Sequence, residues 1–284
     1  MKVALVACDR LENRYAVEWV EHYKQLGFDH IYIADNNREG EEYFGDVLQS
    51  YIDDQFVTIY DYRHVHPVQF LCYYEIYYKI SDDYDWIAFL DFDEFLFLTE
   101  DPNIKDYLSR DCFKNANQIL INWKTYTDND LIYDDGRPCL ERFTEISDRL
   151  YIKYKEFNEN SHVKCIIKTK LNNININAHF SMNFLLIKST YTNNGIKCHC
   201  DYFQPINYDL AYIKHFPTKT IEEFINTKFI RGVCDGNPKF KNYPLEWFFK
   251  YNNITDEKLN YLKSINIDVS NINKNYINNW WPYS

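Results

Sequence analysis

The run Trp86-Ile-Ala-Phe-Leu-Asp91-Phe-Asp93-Glu94-Phe95 joins an apolar stretch to three carboxylates. A buried strand should be apolar, so charge gathered at its C-terminal end needs a reason. If the chain leaves strand geometry after Leu90, Asp91 and Asp93, spaced i, i+2, both turn into the crevice above the sheet. Two hard oxygen ligands there suit Mg²⁺ or Mn²⁺ held against a phosphate. The plainer reading is a solvated turn after a core strand. Asp9, Asp35 with Asn36, and Asp61 each follow an apolar run in the same way.

Those residues must be positioned by an alternation of strands and helices. Val3 to Ala7, His30 to Ala34, Val57 to Tyr60 and Trp86 to Leu90 read as strands. Between them, Glu12 to Leu26, Glu39 to Tyr51 and Val68 to Ile80 read as helices. Tyr15, Trp19, Val20, Tyr23 and Leu26 fall near one face of the first, and Gly27 is its expected C-terminal cap. This order predicts a mostly parallel sheet covered on both faces, and in such an open sheet the polar strand ends share one crevice. The later chain is less regular. Gln118 to Trp123, His162 to Lys168, Ile174 to Ala178 and Asp209 to Lys214 are expected strands, and Asp128 to Pro138 a loop. Thr220-Ile-Glu-Glu223 is a capping box that opens a helix to about Phe229. Trp247 to Tyr251 and Asp256 to Ile265 are short helical stretches.

The chain has 284 residues and a formal net charge of -11. Such a surface holds no nucleic acid backbone without a basic patch, and the sequence shows none. Eight cysteines include no C-x-x-C pair. In Cys198-His199-Cys200, strand alternation would set the two sulfurs apart from the imidazole. MKVALVACD is too short for a signal peptide, and no apolar run approaches 18 residues, so the expectation is a reduced, cytoplasmic protein. The aromatic end Tyr276 to Tyr283 packs on its own domain or a partner chain, or touches a membrane surface peripherally.

Several ordered stretches carry a family likeness. They are Arg10-Leu-Glu12, Glu18-Trp19-Val-Glu-His22, Asp29-His-Ile-Tyr-Ile-Ala-Asp35-Asn36, Asp91-Phe-Asp93-Glu94-Phe95, Glu141-Arg142-Phe143, Lys164-Cys-Ile-Ile-Lys168, Asn177-Ala-His179 and His215-Phe-Pro-Thr-Lys219 with Lys228-Phe-Ile-Arg231-Gly232. Together they resemble nucleotide-sugar glycosyltransferases of the GT-A fold, in the glycosyltransferase 92-like or family 2-like group. Two stretches depart from that pattern. The usual K-N-E is Arg10-Leu11-Glu12, and the usual F-G-x-x-G turn is replaced from Tyr126.

The resemblance implies an α/β GT-A domain in three stretches: 1–125 for the nucleotide sugar, 126–240 for the acceptor and sheet completion, and 241–284 as a helical extension. It implies that Asp93 contacts Mn²⁺ or Mg²⁺ and that Asp91 meets ribose or metal. His215 completes the metal shell, with His179 competing for that role, and Lys219 meets the departing phosphate. Asp35 meets ribose or base, or forms an Asx-turn with Asn36 and Asn37. Asp9, Arg10 and Glu12 lie at the end of strand one, where an Arg can pair with phosphate. Arg231 holds sugar or phosphate, or belongs to a solvated turn. Glu94 orients an Asp, meets an acceptor hydroxyl or caps a following helix. Glu141 and Asp130 are the candidate general bases, and Glu141 alternatively pairs with Arg142 or Lys164. Trp123 stacks on a sugar or sits in the core. The implied reaction moves a hexose from a UDP-sugar to a glycan or lipid-linked glycan, with inversion. The alternatives are a nucleotidyltransferase, whose glycine-rich loop is missing after strand one, and a non-catalytic glycan binder.

Overall fold

The computed structural model describes residues 1–65, 68–147, 158–177, 179–230, 243–270 and 272. The chain forms two units, each assembled from separated stretches. The first comprises Met1–Trp123, Ser161–Lys214 and Cys234–Gly236; the second comprises Lys124–Asn160, His215–Val233 and Asn237–Ser284. Divisions at 125 and 240 therefore do not coincide with this one, because residues 161–214 return to the first unit.

The first unit opens as its pattern dictates: β1 (Val3–Asp9), α1 (Asn13–Gln25), β2 (His30–Asp35), α2 (Gly45–Asp53), β3 (Val57–Asp61), α3 (Gln69–Ile80) and β4 (Trp86–Phe89). It continues with β5 (Glu94–Leu98), α4 (Ile104–Leu108), β6 (Gln118–Thr125), β7 (Val163–Lys168), β8 (Asn175–Ile176), β9 (Ser181–Met182), β10 (Thr190–Thr192) and β11 (Ala211–His215), the last residues of β6 and β11 passing into the second unit. One sheet runs β3-β2-β1-β4-β7-β6-β11-β5, with β10 beside β6. β1 pairs in parallel with β2 and β4, and β2 with β3, whereas β7 is antiparallel to both β4 and β6.

Every residue of β1 is buried. Ala4, Val6 and Cys8 face a cluster built with Val68 and with Cys72, Tyr73, Ile76, Tyr77 and Ile80 of α3. Val3, Leu5 and Ala7 alternate to the other face and are buried too. A strand covered on both faces accounts for its apolar run. Gly27, at φ +88°, follows the α1 C-cap Leu26 and donates its N–H to the Lys24 carbonyl, so the left-handed turn that ends the helix falls on the residue that tolerates it.

Three local expectations change. Glu94 opens β5 rather than capping a helix. α2 begins at Gly45, not Glu39, because Glu41 and Glu42 hold Arg10 and the Asn13 N–H while Asp35 takes the Phe44 N–H. The helix after the capping box, α6 (Ile221–Phe224), passes at once into a π-helical turn, Ile225–Phe229. The second unit also holds α5 (Cys139–Arg142), α7 (Leu245–Tyr251) and α8 (Asp256–Ser264). Its core gathers Ile221, Phe224, Leu245, Phe248, Phe249 and Leu262. Among the described residues, no helix is long and apolar enough to cross a membrane.

Candidate active site

The acidic turn between β4 and β5 is held from below by α1. The Trp19 indole N–H donates to the carbonyls of both Asp91 and Glu94, at 3.0 and 2.9 Å. The Tyr23 hydroxyl donates to the Glu94 carbonyl and accepts the Leu96 N–H. Phe92 turns toward these helices, its ring stacked on Trp19 at 4.5 Å and on Phe44 at 4.8 Å. Trp19 is fully buried, as expected, and it also fixes the backbone that carries the acids. The turn closes on itself: the Glu94 N–H donates to the Asp91 carbonyl, and the Asp91 N–H to Glu94 Oε2.

Asp91 points the other way, toward α3 and β7. Its Oδ1 accepts from Gln69 Nε2 at 2.9 Å and from the Tyr73 hydroxyl at 3.1 Å. Its Oδ2 lies 2.5 Å from Lys164 Nζ, which also stands 3.3 Å from Glu94 Oε2. Glu94 is wholly buried, and the Trp123 indole N–H donates to its Oε1 at 2.7 Å. Burial drives the Glu94 carboxyl upward, and Lys164 only partly offsets this. Burial alone would lower Lys164, but Asp91 and Glu94 hold it above the ordinary lysine range. Asp93 is also buried, with a carboxylate oxygen within 4.8 Å of one on Glu94. Two adjacent acid oxygens are a donor set that suits a hard divalent cation.

The strand ends line up by register, Asp9 opposite Asp35 and Asp35 opposite Asp61. Asp9 ties its strand to the acidic turn: Oδ1 accepts the Arg10 N–H and Oδ2 the Phe92 N–H. Asp35 is fully buried; Oδ1 accepts the N–H and side-chain amide of Asn37, and Oδ2 the Phe44 N–H. The Asx-turn reading of Asp35 is therefore present, with Asn37. Burial raises its carboxyl, and these donors pull it down. Arg10 pairs with Glu41 through Nε and Nη2. Glu12 is buried just before α1, beside Leu11 in the left-handed region at φ +58°. Asp61 is held down to about 2 by Arg63.

Trp123 belongs to an aromatic cluster rather than an open platform. His162 stacks on it at 5.0 Å and His179 meets it edge-on at 5.4 Å. His179 Nδ1 lies 3.0 Å from the Val163 carbonyl oxygen. Cys198 and Cys200 pack against the α3-side core while His199 is exposed, although the three residues lie in a loop and not in a strand.

In the second unit, His215 ends β11, is buried, and accepts the Tyr126 N–H on its carbonyl. Lys219 is buried at φ +55°, a conformation that costs an L side chain energy and persists only where neighbours enforce it. Those neighbours are fixed. Thr218 accepts from Asn252 Nδ2, and Thr220 caps α6 through a reciprocal pair with Glu223. Glu223 in turn takes Arg142 at 2.9 and 3.0 Å, and Asp134 lies 3.1 Å from the same guanidinium. Glu141 is exposed on α5. The pairings considered for it go elsewhere, since Arg142 meets Glu223 and Lys164 meets Asp91. Asp130 accepts from Lys258 Nζ at 2.8 Å and from Asn253 Nδ2. Arg231, Asp235 and the stretch Tyr276 to Tyr283 lie outside the described residues. Gln69, Tyr73 and Lys164 were not read from the sequence as members of this site. Only Lys164 left a signal there, as a charge inside an apolar strand.

A mostly parallel α/β sheet with an acidic turn at a strand end is the architecture expected of a GT-A fold. The chain belongs to glycosyltransferase family 92, whose family model matches residues 12–230. Over 104 residues it is 32% identical to a glycosyltransferase family 92 protein of Ricinus communis, a match that covers 35% of this chain and 18% of that relative. Among solved structures it is similar to S. aureus TarS 1-349 in complex with UDP, at 10% identity and a TM-score of 0.43, over 95% of this chain and 76% of that one. It is also similar to a mannosyltransferase from Pyrobaculum calidifontis in complex with GDP-Man and Mn²⁺, at 8% identity and a TM-score of 0.31, over 42% of this chain and 35% of that one.

Proposed function

We propose that the chain is a metal-dependent glycosyltransferase that moves a hexose from a nucleotide sugar, UDP-linked, to a glycan hydroxyl with inversion at the anomeric carbon. The observation that carries this reading is the acidic turn Asp91 to Glu94, with Asp93 and Glu94 buried and the backbone fixed by Trp19 and Tyr23, in a chain of this family. Asp93 supplies carboxylate oxygen to Mn²⁺ or Mg²⁺, and by resemblance His215 adds an imidazole ligand. When bound, the cation neutralises the diphosphate whose charge grows as the sugar leaves.

Asp91 faces the ribose side of the donor. Lys219, held in a strained backbone by the Thr218, Thr220 and Glu223 contacts, meets the departing phosphate. Asp9, Arg10, Glu12 and Asp35 shape the nucleotide end, where their contacts to Phe92, Glu41 and Asn37 set the loops. Arg231 is assigned to the same donor by resemblance alone. Glu141 is favoured over Asp130 as the base that takes the acceptor proton, because Asp130 is engaged by Lys258 and Asn253. The acceptor is a glycan, free or lipid-linked, and residues 126–240 carry its binding.

A panel of nucleotide sugars incubated with the protein, Mn²⁺ and oligosaccharide acceptors tests the reading. An α-linked UDP-hexose should give a β-linked product by NMR of the new anomeric proton. An α product would mean retention and remove the need for a base. No turnover of any donor, with or without acceptor, would count against a transferase.

A further inference from the structure

We propose that the turn at residues 182–188 docks on an anionic lipid bilayer, with Phe184, Leu185 and Ile187 entering the interface and Lys170 and Lys188 meeting the headgroups. Docking of this kind is independent of the transferase reading, because it uses a part of the first unit far from the acidic turn.

Three of four successive side chains on this turn are large, apolar and outward. Phe184 is 72% exposed, Leu185 51% and Ile187 56%, while Leu186 between them is fully buried in the α3-side core. The turn is ordered by its own bonds. Asn183 Oδ1 accepts the Leu186 N–H at 2.8 Å, and the Asn183 carbonyl accepts the Ile187 N–H. The Leu185 carbonyl accepts both the Lys188 N–H and the Ser189 hydroxyl. Leu186 thus anchors the turn, and the apolar side chains beside it are held outward as a contact surface.

Charge points to the partner. Residues 161–200 contain Lys164, Lys168, Lys170, Lys188 and Lys197 and no Asp or Glu, in a chain of formal net charge -11. Lys164 is spent on Asp91, whereas Lys170, Lys188 and Lys197 are exposed. These lysines lie too far apart along the chain to read as a basic patch, and the fold draws several together. Asn117 accepts the Lys168 N–H on its carbonyl and donates its own N–H to the Ser189 carbonyl. Asn183 Nδ2 donates to the Asn172 carbonyl, two residues after Lys170. Lys188 Nζ stands 3.9 Å from the centre of the Phe184 ring. Asp85, whose carbonyl accepts the Thr169 N–H, turns its carboxylate to the Lys2 N–H.

Apolar side chains at the acyl boundary with ammonium groups at headgroup level are the two attractions that hold a protein on an anionic bilayer. A second copy of the chain fits this turn less well, because a two-fold contact would set Lys188 close to its own copy. Register puts the turn at the far end of the sheet. Lys168 lies opposite Trp86, the first residue of β4, and Thr190 beside Gln118, the first residue of β6. The acidic turn follows the other end of β4, so docking leaves it clear of the lipid.

Co-sedimentation with vesicles of phosphatidylcholine alone, and of a roughly 7:3 mixture with phosphatidylserine, tests this. Wild-type protein should bind the mixed vesicles at least about tenfold more tightly than the neutral ones, and high salt should remove most of that advantage. The triple variant F184S/L185S/I187S should bind the mixed vesicles about tenfold or more weakly than wild type. K170Q/K188Q should lose about tenfold on mixed vesicles and nothing on neutral ones. Both variants should keep the wild-type denaturation midpoint, since every replaced side chain is exposed.

Failure of wild type to bind the mixed vesicles overturns the proposal. Equal binding by the triple variant overturns it too, since any lipid contact would then lie elsewhere. If the triple variant does not fold, K170Q/K188Q decides, and unchanged binding to mixed vesicles is the contrary result. A wild-type dimer in analytical ultracentrifugation that the triple variant loses, without vesicle binding, would assign the turn to a second copy and overturn the proposal as well.

Discussion

Trp19 acts twice from one position on α1: its ring stacks on Phe92, and its N–H meets two carbonyls of the acidic turn. Trp19→Phe keeps most of the ring and removes the donor. Urea denaturation should show a loss of about 1–3 kcal/mol, the cost of leaving buried carbonyls unmet. A loss in UDP affinity larger than the fold instability explains should accompany it, because the turn is released. His215 and His179 separate in the same manner. His179 is engaged with Trp123, Tyr202 and the Val163 carbonyl, while His215 ends a strand four residues before Lys219. Calorimetry with UDP and Mn²⁺ should show the larger loss in His215→Ala, and a larger loss in His179→Ala would reverse the assignment. At this scale the sequence made Asp91, Asp93 and Glu94 legible, because carboxylates after an apolar run stand out. It did not disclose their neighbours. Gln69 and Tyr73 look like ordinary helix residues, and Lys164 reaches the turn only because β7 pairs with β4, a contact between distant parts of the chain.

The elements were legible where the period was clear. β1 to β4 and α1 and α3 fall within a few residues of their apolar runs, since burial on both faces of the sheet dictates those runs. α2 began late because side chains of a preceding loop capture its would-be N-terminal groups, which is tertiary competition that periodicity does not carry. β5 was missed because Glu94 stands at its head and reads as a cap. The capping box was read correctly, but its larger use was not visible: Glu223 joins α6 to the buried Arg142 of α5. Glu223→Ala leaves that guanidinium short of its main partner and removes the side-chain half of the capping box, while the N–H of residue 223 still meets the Thr220 hydroxyl. Chemical denaturation should show a loss of about 3–5 kcal/mol, as for a broken buried pair. A change below about 0.5 kcal/mol, the size of an ordinary surface substitution, would contradict this reading of the element.

For the whole molecule, acid stability offers a signed prediction. Burial raises Asp128 to about 6, while Lys258, 2.6 Å away, pulls it down. Its folded value lies above the ordinary carboxylate value, so the folded state holds the extra proton between about pH 4 and 6. Its contribution to stability is complete below that window and is lost as pH rises through it. Asp128→Asn cannot lose it, and Lys258 keeps Asp130 and the Asn253 carbonyl. The stability of the variant relative to wild type should therefore rise with pH across that window, by at most about 1.4 kcal/mol per unit. A flat or opposite difference in denaturation midpoints would refute the burial argument. The central claim is that the turn holding Asp93 binds a nucleotide diphosphate through a divalent cation. Isothermal titration of UDP into the protein tests it most directly, with Mn²⁺ and then with excess EDTA, for wild type and Asp93→Ala. The account predicts binding with Mn²⁺, loss in EDTA, and loss in a folded D93A; UDP binding that is unchanged by EDTA or retained in full by D93A would contradict it.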